Sequence, residues 1–342
     1  MSDDNYQTLP CKRIKTTSST SEKQDGATSA DSLDSARKET LTDFMSITNI
    51  DMNDALSILE NVQWDVNRGL DFFFGTVEED ITKNVKAAEL KKEPIDLTGL
   101  EISLLSWNID GLDGNSLSTR MKAVYKVINN INPDFVFLQE VVGKELSTID
   151  RFSKLYNIFY SNKDYHYFTA ILASKMFEVE SHNVIHYVNS CMGRTLQMVV
   201  GRIGEQEVFL LNTHLESTKE HSKARKEQFQ VCMEKIQEII SIHPSCLLFF
   251  GGDLNIRDDE VTNVVRGLAD AWLAAGSNKQ TEFTWDTTKN DNKHAFRARN
   301  RFDRIFWYGP LRRVKFSLAG QQRIRSCLCF PSDHWAIHCE FS

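Results

Sequence analysis

Short apolar runs alternate with amphipathic stretches from Glu101 to the C-terminus. The mostly apolar runs ISLLSW, FVFLQ and CLLFF predict buried strands, and a last strand is predicted after PSDHW. TLQMVVGRI and EVFLLNTHL flank a glycine-containing turn and predict a hairpin. Apolar residues at helical spacing precede Pro133 and Pro244; they are Met121, Val124, Ile128 and Ile131, then Phe229, Cys232, Met233, Ile236 and Ile240. This alternation predicts an α/β domain over residues 101–342.

The first 100 residues fall into three segments of different composition. Residues 1–39 are mostly Ser, Thr, Asp and Lys, and we expect them to be disordered because they have little to bury. Residues 40–75 carry three short apolar elements and predict a small three-helix domain. Residues 76–100 are acidic and then lysine-rich, which predicts a linker.

The sequence ALSILENVQWDVNRGLDFFF lies within that small domain and resembles a ubiquitin-associated (UBA-like) domain. Asp51 or Asn53 would cap its middle helix, and Asp65 would cap its last helix. The resemblance implies ubiquitin binding. A helical docking element that binds no ubiquitin is the alternative.

The overall composition excludes several classes of protein. The net charge is −7, so no basic field extends over the whole chain, and no apolar run approaches the roughly 20 residues of a membrane span. From the polar N-terminus we expect no secretory signal. Cys327 and Cys329 are too close for a comfortable disulfide, and we expect free thiols in a reducing compartment. The cluster KRIK at residues 12–15 favours the nucleus, with the cytoplasm as the alternative, and we expect a monomer without membrane contact.

Polar side chains stand at the ends of the predicted strands. They are Asn108, Glu140, His214, Asp253 with Asn255, Asp303, and Asp333 with His334. A single acid after a strand is usually a helix cap. Six strand ends that all carry such residues are better explained by a site, because the loops at strand ends open on one rim of an α/β sheet.

These residue types suit metal-assisted hydrolysis of a phosphate ester. Glu140 is a hard oxygen ligand of the kind that Mg²⁺ takes, and a metal there would neutralise charge on a phosphoryl oxygen. The two asparagines can orient an oxygen without adding negative charge. His334 can donate to a phosphate or take a proton, and either Asp303 or Asp333 would hold its ring.

A basic stretch, KNDNKHAFRARNRFDR at residues 289–304, lies between two aromatic segments. With Trp285 and Phe302 beside it, this stretch predicts phosphate contacts and base stacking to a single strand. A solvated charged loop is the alternative. Arg257 is two residues from Asn255 on the loop after CLLFF, where it could reach a phosphate.

Taken in order, SWNIDGLD, LQEV, NTHLES, GGDLN, FDRIF and PSDHW resemble the motifs of the exonuclease–endonuclease–phosphatase superfamily of magnesium-dependent phosphodiesterases. The resemblance covers Glu101 to the C-terminus and implies a four-layer α/β/β/α sandwich of the deoxyribonuclease I type. LESTKEH, GGDLNIRDDEV, FTWDT and RFDRIFW, behind a UBA-like domain, are similar to the branch that hydrolyses the 5′-phosphotyrosyl bond between topoisomerase 2 and DNA.

The same resemblance implies a set of site residues and partners. The catalytic set that it implies is Asn108, Glu140, Asp253 and His334, and we add Asp303 as an acid that could hold the His334 ring. The expected metal-binding members are Glu140, Asn108 and Asp253. The substrate-binding set is Asn255, Arg257, His214, Ser217, Tyr167, Arg194 and Trp285. The implied cofactor is Mg²⁺, with Mn²⁺ as a substitute. The implied partners are single-stranded 5′ ends of DNA with tyrosyl adducts, topoisomerase 2 peptide remnants and ubiquitin. Lys219 stands where the family often has arginine; a lysine keeps the positive charge but lacks the bidentate geometry with which arginine binds a phosphate.

Two other interpretations remain open at this point. The first is another nuclease or phosphodiesterase of the superfamily: an abasic endonuclease, a deadenylase or a lipid phosphodiesterase. The second is a ubiquitin-binding scaffold with an inactive phosphodiesterase domain. Substitutions in the catalytic set would favour the scaffold, and none is present.

Overall fold

The computed structural model describes residues 35–48, 51–66, 68–69, 100–293 and 297–342. The chain divides into two compact units near residue 95. Each unit has its own hydrophobic core among the described residues. None of the helices in those ranges combines the length and the apolar character that crossing a bilayer requires.

The N-terminal unit contains helices α1 (Ser35–Thr48) and α2 (Met52–Asn61), and helical backbone resumes at Val66. Its core joins Leu41 and Phe44 of α1 to apolar residues of α2, which are Ala55, Leu56 and Leu59. This packing agrees with the apolar spacing of the sequence.

Side-chain caps mark the beginnings of the second and third helical elements. Asp51 Oδ1 accepts a hydrogen bond from the backbone N–H of Asn53 at 2.9 Å, so Asp51 is the residue that caps α2. Asp65 Oδ1 accepts from the backbone N–H of Arg68 at 3.1 Å. Both predicted caps therefore have a physical basis in the fold.

Helix α1 begins at Ser35, within the segment 1–39 for which the sequence predicts disorder. The prediction is wrong for residues 35–39, because Ala, Arg, Lys and Glu are good helix formers and extend the helix upstream of the buried Leu41. The remainder of the tail, the predicted linker and the last positions of the predicted third helix (Leu70, Phe73 and Phe74) lie outside the described residues.

The C-terminal unit contains two six-stranded sheets and a short two-stranded ribbon. The strands are β1 (Ile102–Asn108), β2 (Phe135–Val141), β3 (Tyr156–Tyr160), β4 (Phe168–Ser174), β5 (Glu178–His186), β6 (Thr195–Ile203), β7 (Gln206–His214), β8 (Leu247–Asp253), β9 (Ala269–Asp270), β10 (Trp285–Asp286), β11 (Arg299–Asn300), β12 (Asp303–Tyr308), β13 (Val314–Ala319) and β14 (Ala336–Phe341). The first sheet has the order β13-β14-β1-β2-β4-β3, and the second has the order β5-β6-β7-β8-β12-β9.

Four α-helices belong to this unit within the described residues: α3 (Leu117–Ile131), α4 (Leu146–Ile149), α5 (Ser222–Ile242) and α6 (Ala271–Ala274). The apolar face of α3 packs on the first sheet, and the apolar face of α5 packs on the second sheet. A third cluster fills the space between the sheets with residues from both, including Leu104, Phe135, Phe137, Val208, Leu210, Phe249 and Ile305. The predicted α/β/β/α sandwich is confirmed.

Strand direction explains why the polar strand ends meet. Strands β1 and β2 are parallel, and so are β7 and β8, so their carboxyl ends lie at one edge. Strand β12 runs antiparallel to β8 and places Asp303 opposite Asp253. Strand β14 runs antiparallel to β1, so its beginning, next to His334, lies at the same edge. Both sheets thus deliver their polar ends to one rim.

A buried polar link joins the two sheets just beneath that rim. Gln139 of the first sheet donates from Nε2 to Asn212 Oδ1 of the second sheet at 2.8 Å. Asn212 Nδ2 donates back to the carbonyl oxygens of Leu138 at 3.1 Å and Ala170 at 2.9 Å. Because unpaired buried amides are costly, these bonds favour one relative placement of the sheets.

The expectation of free thiols is wrong at one place, where a disulfide joins Cys327 to Cys329. Leu328 between them has a left-handed backbone (φ 56°), and its N–H donates to the carbonyl oxygen of Ile324 at 2.8 Å. This turn brings the two Cα atoms to 5.2 Å, within the range that a disulfide needs. The buried cysteines Cys232, Cys246 and Cys339 are free thiols.

Candidate active site

Asn108 lies at the centre of the rim and contacts two carboxylates. Its Nδ2 donates to Glu140 Oε1 at 3.1 Å and to Asp253 Oδ2 at 2.9 Å. Its Oδ1 accepts from the backbone N–H of Asp110 at 3.0 Å, which fixes the orientation of the amide. The two carboxylates therefore converge on a single amide group that is almost fully buried.

Glu140 reaches this position through an irregular backbone. Its φ is 56°, and the pairing of β2 with β4 shifts register between Leu138 and Val141. Such a bulge re-aims a side chain relative to the regular strand. A β-carbon at Gly111 would collide with the carbonyl oxygen of Glu140, so only glycine lets the loop after β1 approach so closely. Left-handed backbone at a polar residue is typical of functional sites.

Asp253 is buried between two histidines. Its Oδ2 lies 3.3 Å from His214 Nε2 and 3.8 Å from His334 Nε2, and its Oδ1 accepts from the backbone N–H of Asn255 at 3.0 Å. Burial alone would raise the pKa of Asp253, but the charge of His334 and the hydrogen bonds from His214 and Asn108 lower it well below its usual range. Asp253 is therefore ionised at neutral pH.

His334 is held by Asp303 and not by its sequence neighbour Asp333. His334 Nδ1 lies 2.8 Å from Asp303 Oδ2, whereas Asp333 Oδ1 is 4.0 Å from Nε2. Asp333 instead accepts from Trp285 Nε1 at 3.2 Å. Burial opposes the charged form of His334, but Asp303, Asp253 and Asp333 raise its pKa well above the usual value. The ring is therefore a cation that donates from Nδ1 to Asp303 and directs Nε2 to the rim.

Ser332 connects the first and last strands of the site, and the sequence pattern did not reveal it. Its Oγ donates to the carbonyl oxygen of Asn108 at 2.6 Å and accepts from the backbone N–H of His334 at 3.0 Å. Trp107 Nε1 donates to the carbonyl oxygen of His334 at 2.9 Å. The only signal in the sequence is its position within PSDHW, since serine before a strand is common for many reasons.

A second group of predicted residues lines the His214 side of the rim. Arg194 lies over the ring of Tyr167 with 5.0 Å between the guanidinium carbon and the ring centroid, and its NH1 lies 2.5 Å from His214 Nδ1. Because arginine can only donate, His214 accepts at Nδ1 and carries its proton on Nε2, which faces Asp253. Ser217 Oγ donates to Met192 Sδ at 3.3 Å on the same side.

The phosphate residues predicted on the loop after β8 differ in exposure. Asn255 has a left-handed backbone (φ 50°), and its Nδ2 donates to the carbonyl oxygen of Leu215 at 3.3 Å. The Arg257 side chain is exposed, and its NH1 is 3.9 Å from Glu260 Oε2. Lys219 is exposed on the loop before α5. Arg257 and Lys219 are thus accessible to solvent and Asn255 is partly so.

The basic stretch 289–304 forms a smaller charged surface than its composition predicts. Lys293 Nζ donates to Asp110 and Asp113, each at 2.9 Å. Arg301 and Arg304 are buried in ion pairs with Asp258 and Asp270. The exposed cations of the described part of this stretch are Lys289, Arg297 and Arg299. The predicted aromatic pair is present, with 5.8 Å between the ring centroids of Trp285 and Phe302.

The oxygen ligands at the rim fit a divalent metal. The carboxylates of Glu140 and Asp253 both accept from the amide of Asn108, which carries no net charge. A bound divalent cation would balance their two negative charges better than this amide does. Asp253, Asp303 and His334 also offer ligand atoms within 4.8 Å of one another. Asp303 and His334 are bonded to each other, so we favour the Glu140 and Asp253 pair.

Comparisons with known proteins place this geometry in a family. A model of the Endonuclease/Exonuclease/phosphatase family matches residues 105–334, and a model of the UBA-like domain matches residues 38–80. A 5′-tyrosyl-DNA phosphodiesterase of Caenorhabditis briggsae is 54% identical over 312 residues, which are 88% of this chain and 89% of the relative. The chain belongs to this family, in its 5′-tyrosyl-DNA phosphodiesterase branch. A human relative of the branch, tyrosyl-DNA phosphodiesterase 2, is 32% identical over 337 residues, 89% of this chain and 92% of its own.

Solved structures from the same branch share the fold. Truncated TDP2 of Caenorhabditis elegans has a TM-score of 0.71 at 62% identity and covers 72% of this chain and 99% of its own. TDP2 of D. rerio, complexed with a single-strand DNA product, has a TM-score of 0.66 at 32% identity and covers 71% and 99%. The catalytic domain of human Nocturnin, at 16% identity, shares the fold alone.

Proposed function

We propose that this member of the branch hydrolyses the 5′-phosphotyrosyl bond between DNA and trapped topoisomerase 2, and leaves a 5′-phosphate. The observation that carries the proposal is the convergence of Glu140, Asp253 and the His334–Asp303 pair around Asn108 at one rim. The carboxylates of Glu140 and Asp253 and the imidazole of His334 are thus close enough to act on one phosphoryl group and on the water that attacks it.

Glu140 and Asp253 would hold the metal, which we propose to be Mg²⁺ because both are hard oxygen ligands, with Mn²⁺ as a substitute. When bound, the metal supplies positive charge that neutralises a phosphoryl oxygen. Asn108 is fixed by the backbone N–H of Asp110 and keeps the two carboxylates at their positions. Turnover of Glu140→Gln across a Mg²⁺ titration tests this assignment.

The remaining residues of the rim orient the water and the phosphate. Asp253 is ionised and accepts a hydrogen bond from the attacking water, which it directs at phosphorus. Asn255 and Arg257 bind phosphate oxygens. His334 is held by Asp303 and donates from Nε2 to the oxygens that gain charge. A tyrosine phenol has a pKa near 10, so the leaving group needs less protonation than a sugar alkoxide would.

The DNA and protein portions of the substrate would occupy different sides of the site. Trp285, on the His334 side, is bonded to Asp333 and paired with Phe302, which suits stacking with the first bases of a single-stranded 5′ end. Arg194 and Tyr167, on the His214 side, suit the tyrosyl group because Tyr167 is partly exposed and Arg194 places a positive charge over its ring. The UBA-like unit would bind ubiquitin, and the basic cluster at residues 12–15 would direct the protein to the nucleus.

Turnover on matched substrates tests the proposal. The purified full chain is given equal concentrations of a 5′-phosphotyrosyl oligonucleotide, an abasic duplex and poly(A), each with Mg²⁺. We expect the phosphotyrosyl substrate to be preferred by at least about 100-fold in kcat/KM, a difference of about 2.7 kcal/mol. Preference for the abasic duplex or poly(A) would instead establish another activity of the superfamily, and no turnover on any of them would favour the scaffold.

A further inference from the structure

Glu216 is a fully buried acid of the motif HLES that has no role in the proposed chemistry. Its Oε1 accepts hydrogen bonds from the backbone N–H groups of Cys191 at 2.5 Å and Met192 at 3.2 Å, and from Ser190 Oγ at 3.2 Å. Three consecutive residues of the loop between β5 and β6 are thus tied to one carboxylate oxygen. A buried carboxylate with several donors of this kind binds them strongly.

The other oxygen of Glu216 faces Arg194. Arg194 Nε lies 3.7 Å from Glu216 Oε2, both side chains are buried, and neither atom has a hydrogen-bond partner. The remaining contacts of the guanidinium are to uncharged groups, namely His214 Nδ1, Met192 Sδ and the ring of Tyr167. Glu216 therefore supplies the negative charge next to a buried cation, and an unpaired buried cation would be costly.

Met192 of this loop also contacts two residues of the predicted substrate-binding set, Tyr167 and Ser217. The hydroxyl of Tyr167 donates to the carbonyl oxygen of Met192 at 2.9 Å, and Ser217 Oγ donates to Met192 Sδ. Movement of residues 190–192 would consequently displace Tyr167 and Arg194 together. Binding side chains keep their geometry when supporting hydrogen bonds and packing fix their conformation in this way.

We propose that Glu216 is a positioning residue, which fixes the 190–192 loop and thereby holds Arg194 against Tyr167 and His214. The inference rests on the proposed function, because it takes Arg194 to contact the phosphotyrosyl portion of the substrate. Misplacement of a binding group by about 1 Å can cost up to about 100-fold in rate. Glu216→Ala should therefore lower kcat/KM by about 10- to 100-fold, with kcat and KM changing in the same proportion as in Arg194→Ala.

A double-mutant cycle separates positioning from a loss of stability. If Glu216 acts through Arg194, adding Glu216→Ala to Arg194→Ala should lower kcat/KM by less than about threefold further. Glu216→Gln keeps an acceptor for the loop amides but loses the charge, so it should recover part of the activity. Asp134→Ala is the matched control, because it removes a carboxylate that binds Ser103 at the opposite end of the sheet. It should lower the melting temperature and leave kcat/KM unchanged.

Hydrogen–deuterium exchange gives a readout that does not depend on activity. The amides of Cys191 and Met192 should exchange faster in Glu216→Ala, but not in Glu216→Gln or Asp134→Ala. Multiplicative effects of Glu216→Ala and Arg194→Ala, or unchanged exchange in the loop, would overturn the inference. Absence of wild-type turnover on the phosphotyrosyl oligonucleotide would count against the proposed function, whereas the exchange result would still decide whether Glu216 fixes the loop.

Discussion

Asp303 Oδ2 lies 2.8 Å from His334 Nδ1, although 31 residues separate the two in sequence, while the adjacent Asp333 contacts Trp285 instead. Asp303 is the first residue of β12 and lies opposite Asp253 in β8. The second sheet thus supplies Asp303 and Asp253, and the segment before the last strand of the first sheet supplies His334. The geometry of the site therefore depends on how the two sheets face each other.

Replacing Glu140 by glutamine tests the metal assignment. The side chain is only partly buried, and its hydrogen bond from Asn108 can be kept by an amide oxygen, so the fold should be retained. We expect Mg²⁺-dependent turnover to fall by at least about 100-fold, because even residues that only orient metal ligands cost about 10- to 100-fold. The measurement is kcat/KM across a Mg²⁺ titration, with Glu101→Gln at the opposite end of β1 as the control. Near-normal activity at saturating Mg²⁺ would exclude Glu140 as the main ligand.

Lys293 should behave as an anchor and not as a DNA contact. It binds Asp110 and Asp113, while burial and the charge of Asp333 raise the pKa of Asp110 to about 7 against the opposite effect of Lys293 and Arg120. Lys293→Met would leave Asp110 without this cation, so we expect a lower melting temperature and lower turnover. The slope of log Kd against log salt for a single-stranded 5′ end should be unchanged.

Lys289 and Arg297 provide the matched comparison, because both side chains are exposed on the same stretch. If either contacts a phosphate, its replacement by methionine should reduce the salt slope by about 0.7 and leave the melting temperature unchanged. A reduced slope for Lys293→Met with unchanged stability would show instead that Lys293 reaches the DNA.

The position of polar residues at strand ends was enough to group most of the candidate site residues, because it follows from the sheet topology. Parallel strands must end at one edge, so Asn108, Glu140, His214 and Asp253 could be grouped from the apolar runs that precede them. The choice between two acids for His334 could not be made, because it depends on the register of β12 against β8. The sequence position of Asp333 next to His334 gives no physical reason to prefer it over Asp303.

Residues that act through backbone atoms were not accessible from the sequence. Ser332 and Glu216 bind main-chain groups of distant segments, and side-chain type alone gives no signal for such partners. The exposed charge of the basic stretch 289–304 was also overestimated, because composition does not show that Arg301 and Arg304 form ion pairs with Asp258 and Asp270. The disulfide was missed because a left-handed backbone at Leu328 is not expected of a leucine.

Glu260 should make stability depend on pH in the acid range. Burial opposes its ionisation, but hydrogen bonds from Arg225, Ser222 and the backbone N–H of Arg257 lower its pKa in the folded chain. A lowered pKa stabilises the fold above the unfolded value of about 4.3, and that contribution is lost as pH falls through the folded value. Glu260→Gln should therefore destabilise the protein most at pH 7, and the difference from wild type should narrow toward pH 3.

Denaturant unfolding at the two pH values measures this effect. Glu238→Gln is the control, because Glu238 forms an exposed pair with Lys235 on α5 and such pairs contribute little. Equal destabilisation by Glu260→Gln at both pH values would mean that the negative charge of Glu260 does not contribute to the free energy of unfolding.

Removal of the N-terminal part should leave hydrolysis intact. The chain divides near residue 95, and the crystal structure of a truncated Caenorhabditis elegans relative covers 72% of this chain. A chain that starts near Leu97 should keep kcat/KM within about twofold of the full chain, which is a change in activation free energy of well under 1.4 kcal/mol. It should lose ubiquitin binding in a pull-down. Loss of turnover would show that the UBA-like unit contributes to the active site.

His334 should stabilise charge on the phosphoryl oxygens and should not protonate the leaving group. Its Nδ1–H is committed to Asp303, and its Nε2 faces the rim beside Asp253. Removing one preorganised donor of this kind costs about 10²–10³ in rate. His334→Ala should lower turnover by at least that order, with only a modest change in DNA binding measured by fluorescence anisotropy.

The identity of the leaving group distinguishes the two roles of His334. A nitrophenyl ester of the 5′-phosphate has a leaving group that needs no protonation. If His334 stabilises charge on the phosphoryl oxygens, the nitrophenyl ester should suffer the same loss as the tyrosyl ester in His334→Ala. Recovery of most of the wild-type rate with the nitrophenyl ester would mean that His334 is the general acid. The Asp303–His334 pair would then serve to deliver a proton, and another cation would have to stabilise the phosphoryl oxygens.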